Sequence, residues 1–130
     1  MTTLDPADPA VQGFWAERHL CTLTTLRPDG SPHVVAVGAT FDSASMSARL
    51  ITSAHSVKVR NVESADGALV AICQVDGRRW STLEGTARVS RDPADVAESV
   101  RRYALRYRQP RVNPDRVTIL VDVSRVVGKV

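Results

Sequence analysis

Connections too short to hold a helix separate several of the apolar runs in this chain, and that forces neighbouring strands to lie antiparallel. His19–Leu26 and Ser31–Phe41 are split by Arg27-Pro28-Asp29-Gly30. There, proline fixes φ at the second turn position and glycine relieves the strained end. Gly67–Val75 and Trp80–Ser90 are split by Asp76-Gly77-Arg78-Arg79, which carries the Asp-Gly hairpin signal. Parallel neighbours need a crossover of about a dozen residues, so these pairs read as hairpins. Further strands are expected over Met46–Thr52, after a turn at Asp42–Ser45, and over Arg116–Val127.

Strand faces can be read from period-two alternation. In the run from Trp80, Ser81, Leu83, Gly85, Ala87 and Val89 point one way, while Thr82, Glu84, Thr86 and Arg88 point the other with Trp80. Ser31–Phe41 differs. His33, Val35 and Val37 share one face and Val34 and Ala36 the other, and both faces are apolar or small. The middle of that strand is therefore expected to be covered on both sides, with Gly38 marking a bulge or a close approach.

Three helical segments interrupt the strands. Residues 7–18 begin with Asp8 as cap and Pro9 at the first helical position; Asp92–Arg108 repeats that pattern with Asp92 and Pro93. A third helix begins near residue 55. The order α-βββ-α-ββ-α-β predicts a mainly β (α+β) fold, a six-stranded antiparallel closed or split barrel with short helices at its ends. With 130 residues the chain reads as one domain, 1–130. It is long enough to bury about two thirds of its unfolded surface without a disulfide or metal.

The third helix carries its charges against the macrodipole. A helix N-terminus presents unpaired N–H groups and a partial positive charge, which favours acids in the first turn. Here His55, Lys58 and Arg60 come first, and the acid Glu63 comes late. Thr52, Ser53 and Ser56 add hydroxyls, so the segment makes a candidate phosphate cradle. A solvated basic face with Ser56 as an ordinary cap accounts equally well for the local pattern. Of 17 basic residues only Lys58 and Lys129 are lysines, which singles out Lys58. Asn61, three residues on, is expected on the same helix face.

Other chemistries find little footing. The net charge of +3 is scattered and suits a small anion at least as well as nucleic acid. No basic and aromatic platform is visible, so no nucleic-acid partner is expected. Cys21 and Cys73 form no CxxC pair and no zinc-spaced cluster, so buried free thiols, no metal and a cytoplasmic setting are expected. No segment has the length or apolarity to span a membrane. No carboxylate pair or nucleophile triad appears, so the catalytic residues stay unassigned. Arg78 and Arg79 in the hairpin turn are candidates to attract carboxylates, or else are simply solvated. His33 on its apolar strand face reads as a lining residue. Trp80, straight after the turn, reads equally as a pocket cap or a core contact.

Taken in order, these features resemble the split-barrel flavin-binding family typified by pyridoxamine phosphate oxidase. The likeness rests on Gly30-Ser31-Pro32 entering His33–Val37, on Thr52 followed by Ser56-x-Lys58, and on the hairpin through Gln74 and Trp80 to Leu83-Glu84-Gly85-Thr86-Ala87. Glu17-Arg18-His19-Leu20, Leu23–Arg27, Ser31–Gly38, Gln74–Gly77, Arg79-Trp80 and Arg106-Tyr107-Arg108 with Pro110-Arg111 are similar to its deazaflavin-dependent reductase branch, the F420-dependent biliverdin reductases in particular.

The resemblance implies a homodimer with coenzyme F420 at the subunit interface and hydride transfer to a small-molecule acceptor, biliverdin. It implies that Thr52, Ser53, Ser56 and Lys58 hold the cofactor phosphate with Asn61 nearby. It places the backbone of His33, Val34, Val35, Ala36 and Val37 along the ring, and brings Gln74 and Trp80 from the hairpin, reaching a cofactor held mainly by the other subunit. Flavin-using members usually carry an arginine just before the phosphate lysine, where this chain has Val57. That removes one donor expected of an FMN site. FMN remains the alternative cofactor, and a non-catalytic F420- or tetrapyrrole-binding protein the alternative role.

Overall fold

The computed structural model describes residues 2–130. Its strands are β1 (Cys21–Leu26), β2 (Pro32–Val37), β3 (Ala39–Asp42), β4 (Ser47–Ser53), β5 (Ala68–Asp76), β6 (Arg79–Ser90) and β7 (Arg116–Lys129). The helices are α1 (Pro9–Ala16), α2 (Val57–Glu63) and α3 (Pro93–Arg106). One antiparallel sheet takes the order β2-β1-β5-β6-β7-β4-β3. Its two edge strands follow one another in the chain. The barrel is thus closed by covalent continuity at Gly38, and not by hydrogen bonds between edges, and it stays split there.

Seven strands appear where six were expected, because the run Ser31–Phe41 breaks at Gly38 into β2 and β3. The cause is a close approach. A Cβ at Gly38 would sit 2.8 Å from Cε2 of Tyr103 and 3.1 Å from Cε2 of Tyr107. The outer face of β2 also departs from expectation: Val34 is 59 % exposed in the single chain.

The inward-facing residues form the core, with Leu23, Leu50, Ile72, Leu83, Ile119 and Val121 all buried. Two helices plug opposite ends of the barrel. At one end α1 buries Val11, Phe14 and Trp15, and the indole N–H of Trp15 donates to Ser81 Oγ at 3.1 Å. At the other, α2 buries Val59 and Val62. α3 lies outside, against β3, β4 and β7. Asp8 and Asp92 cap their helices as expected, each accepting from the N–H two residues on at 2.9 Å. Burying a medium-sized apolar side chain such as these contributes about 1.5–3 kcal/mol. Cys21 is buried and free; Cys73 is free but only half-buried, on the outer face of β5. No helix among the described residues is long and apolar enough to cross a membrane.

Candidate functional site

The split leaves a cleft of about 340 Å³ lined by Ala36, Val37 and Gly38, by Ile51, Thr52 and Ser53 at the end of β4, and by Lys58, Tyr103, Pro110, Asn113 and Arg116. The fold brings these together simply. β4 pairs with β7, setting Thr52 opposite Val117 and Ser53 opposite Arg116. The chain then turns into α2, which presents Lys58 from its first turn. α3 ends with Tyr103 leaning over Gly38, and the segment after α3 folds back so that Asn113 Nδ2 donates to Ser53 Oγ at 3.0 Å.

The cleft is electropositive. No carboxylate lies among its lining residues. Lys58 is half-buried and makes no ion pair or hydrogen bond among the described residues, and burial holds its ammonium pKa below the ordinary value. The Arg116 guanidinium donates to the Arg111 carbonyl at 2.5 Å and has no acid partner among the described residues. α2 carries no acid in its first turn, and the Ser56 side chain makes no cap hydrogen bond. Ser56 Oγ instead accepts from Thr52 Oγ1 at 3.2 Å, so it stands behind Thr52 and does not line the cleft.

A second groove of about 450 Å³ borders the same strand and helix and is lined by Arg27, Pro28, His33, Val57, Arg60 and Asn61. His33 Nδ1 is buried without a hydrogen-bond partner. Between cleft and groove runs β2, an edge strand paired only with β1. On its free side, alternate N–H groups can therefore donate to a ligand and C=O groups accept from it, as exposed sheet edges do. Val35 is directed inward onto the core and Val34 outward, away from both hollows.

Several expected site residues fall elsewhere. Asn61 does not share Lys58's face: it is 5 % exposed, and its Nδ2 donates to Thr25 Oγ1 at 2.9 Å at the end of the barrel. Three residues advance an α-helix by about 300°, leaving the two side chains about 60° apart. Here that offset decides between cleft and core.

Gln74 is fully buried. Its Nε2 donates to the Phe14 carbonyl at 2.8 Å and its Oε1 accepts from Arg106, so it anchors α1 and has no route to a ligand in its own chain. Arg79 is committed to Glu17 and Asp76 and lies over the Phe14 ring, 4.8 Å from its centroid. The Arg79 guanidinium, and after it His19, pulls the Glu17 carboxyl down to about 2. Arg78 is exposed at the turn, remote from the cleft. Trp80 is half-buried on the outer face of β6 beside Val75.

Tyr103, Pro110, Asn113 and Arg116 were not read as site residues. Over Asp92–Arg108, Val96, Val100, Tyr103 and Tyr107 recur at helical spacing, which reads as packing, and Gln109–Pro114 reads locally as a helix breaker. The pairing of Ser53 with Arg116 is long-range and leaves no local signal.

The family model described as pyridoxamine 5'-phosphate oxidase matches residues 7–129. An F420H(2)-dependent biliverdin reductase of Mycobacterium tuberculosis (strain CDC 1551 / Oshkosh) is 50 % identical over 127 residues, covering 98 % of this chain and 90 % of that protein. Among solved structures, one described as an F420 reductase is 25 % identical with a TM-score of 0.72, covering 89 % of this chain and 94 % of its own. A conserved hypothetical protein of Mycobacterium tuberculosis shares the fold at 22 % identity and a TM-score of 0.80, over 99 % of this chain and 89 % of its own.

Proposed function

The chain belongs to the pyridoxamine 5'-phosphate oxidase family, and from that premise we propose that it is an F420H2-dependent reductase whose acceptor is biliverdin. The observation that carries the site assignment is Lys58: a half-buried cation without a partner among the described residues, beside two hydroxyls, in a cleft free of lining carboxylates. A half-buried charge left unpaired is costly. An anion placed there removes that cost.

The donor set therefore fits the cofactor phosphate. Lys58 and the hydroxyls of Thr52 and Ser53 hold it, Arg116 adds positive charge from the opposite wall, and Ser56 positions Thr52. The unpaired edge of β2, from His33 to Val37, supplies backbone donors and acceptors to the ring. When bound, reduced F420 supplies the hydride. The protein's part is to hold ring and acceptor face to face at about 3–3.5 Å and to exclude competing reactions.

The site is completed by a second copy of the chain. Support for this comes from the outer face of the sheet. Leu26, Val34, Leu69 and Val75 are exposed there, around Thr22, Thr24, Ala36 and Ala71, which adjoin them in register. A hollow of about 390 Å³ lined by Leu26, Leu69, Ala71 and Gly85 lies in the same face. Contiguous apolar surface of this kind marks an interface. Trp80, on that outer face, reaches a cofactor only across such an interface. Leu69→Glu is expected to convert a species of twice 14.1 kDa to the monomer in sedimentation.

Titration with F420 and with FMN, followed by single turnover of reduced F420 against biliverdin, tests the function. Tight F420 binding with bilirubin formation is expected. A yellow protein that retains FMN and ignores F420 would refute it.

A further inference from the structure

Tyr103 lines the cofactor cleft on one side and, on the other, a separate hollow of about 330 Å³ lined by Arg18, His19, Leu20, Tyr107 and Arg108. Arg18 and Arg108 are exposed, and neither makes an ion pair or a side-chain hydrogen bond among the described residues. Arg79, Arg91, Arg101 and Arg125 are each paired with an acid, whereas Arg60, Arg78, Arg88 and Arg111 are, like Arg18 and Arg108, exposed without such a partner, so it is the shared hollow that distinguishes this pair. No carboxylate lines the hollow. His19, which lines the hollow, is hydrogen-bonded to the Glu17 carboxylate at 2.9 Å, and Arg79 pairs with that same carboxylate.

The walls of this hollow are fixed. Tyr107 Oη donates to the His19 carbonyl at 2.6 Å, tying α3 to the segment before β1. The Arg106 guanidinium donates to the Glu17 carbonyl at 2.7 Å, tying α3 to the same segment, and to the Ala39 carbonyl at 2.5 Å, tying it to β3 as well. Tyr103 and Tyr107 lie with ring centroids 5.0 Å apart, forming a rigid partition and an apolar floor. Leu20, 71 % exposed, forms the lip. Two free guanidiniums on a preorganised apolar base suit a carboxylate carried on a larger body, since the planar fork binds carboxylate bidentately.

We propose that this hollow is a carboxylate subsite of the reductase, with Arg18 and Arg108 as its ligands and Tyr103 as the partition from the phosphate cleft. The assignment rests on the F420 reading above. Two parts of the reacting pair carry carboxylates: the glutamate tail of the cofactor and the propionates of the acceptor. Both are held by the same chemistry.

The test uses the intact protein and the double variant Arg18→Ala/Arg108→Ala, with Arg18→Lys/Arg108→Lys as the charge-retaining control. F420 affinity is measured with one glutamate and with a long tail, and KM is measured with biliverdin and with its dimethyl ester. Exposed ion pairs are individually weak, so a combined effect of about fivefold to tenfold is expected. If the tail is the occupant, long-tailed F420 loses affinity in the alanine variant while the KM ratio of acid to ester holds. If the propionates are the occupant, KM rises for biliverdin alone. In either case the lysine variant recovers part of the loss. Wild-type values for every ligand in the alanine variant overturn the subsite and leave the F420 reading standing. A wild-type protein that binds no F420 overturns both.

Discussion

Replacing Lys58 should move binding and stability in opposite directions. The ammonium is half-buried with no partner among the described residues, and burial holds its pKa below 10.5. The unfolded chain therefore keeps this proton more tightly than the folded one. The resulting penalty on folding is present at neutral pH and fades as pH rises through the lowered value toward 10.5. Lys58→Met keeps the length of the stem and removes the charge, so the cofactor-free variant should melt at or above the wild-type temperature. Its affinity for F420 should fall. A charge-assisted contact to an anion is worth about 2–3 kcal/mol when one partner is deleted, which corresponds to about 30- to 150-fold in Kd. Fluorescence titration with F420 and thermal melts with and without the cofactor check both arms. A variant that is destabilised yet binds normally would show that Lys58 is an ordinary structural lysine and refute the phosphate assignment.

Gly38→Ala should press Tyr103 off the cleft wall, costing about 1–3 kcal/mol and weakening F420 binding. Chemical denaturation reads the first effect, and Gly38→Ala/Tyr103→Ala should recover the stability but not the binding. Gln74→Leu should cost about 2–3 kcal/mol through the stranded Phe14 carbonyl and Arg106, while the Kd for F420 in the folded fraction stays at wild type. For Glu17, whose carboxyl is lowered from 4.5 to about 2 by Arg79 and then His19, the stabilisation is complete above pH 4.5 and is lost as pH falls toward 2. Glu17→Gln should flatten that part of the stability profile measured by urea titration.

The hairpin strands were legible because their connections are short, and β6 because its faces alternate. Turn chemistry at Pro28-Asp29-Gly30 and Asp76-Gly77 set the hairpins, and Asp8-Pro9 and Asp92-Pro93 set two helix starts. What local pattern did not reveal is long-range. Gly38 reads as a bulge or a close approach; the approach is what the fold makes, and its partners, tyrosines 65 and 69 residues further along the chain, leave no local signal. Asn61 and Lys58 look like one face until the core takes one and the cleft the other. Gln74 is brought to the site only by the family resemblance, and its burial against α1 is visible only in three dimensions. Arg116 enters the cleft by cross-strand pairing with Ser53. Hydroxyls and a lysine clustered in sequence were enough to find the cleft, and not enough to find its far wall.

The central claim is that this cleft grips a deazaflavin phosphate. A crystal structure with F420 tests it most directly. The account predicts the phosphate within hydrogen-bonding reach of Lys58 Nζ and the Thr52 and Ser53 hydroxyls, with the ring along the open edge of β2. A phosphate bound elsewhere, with Lys58 pointing into solvent, would contradict it.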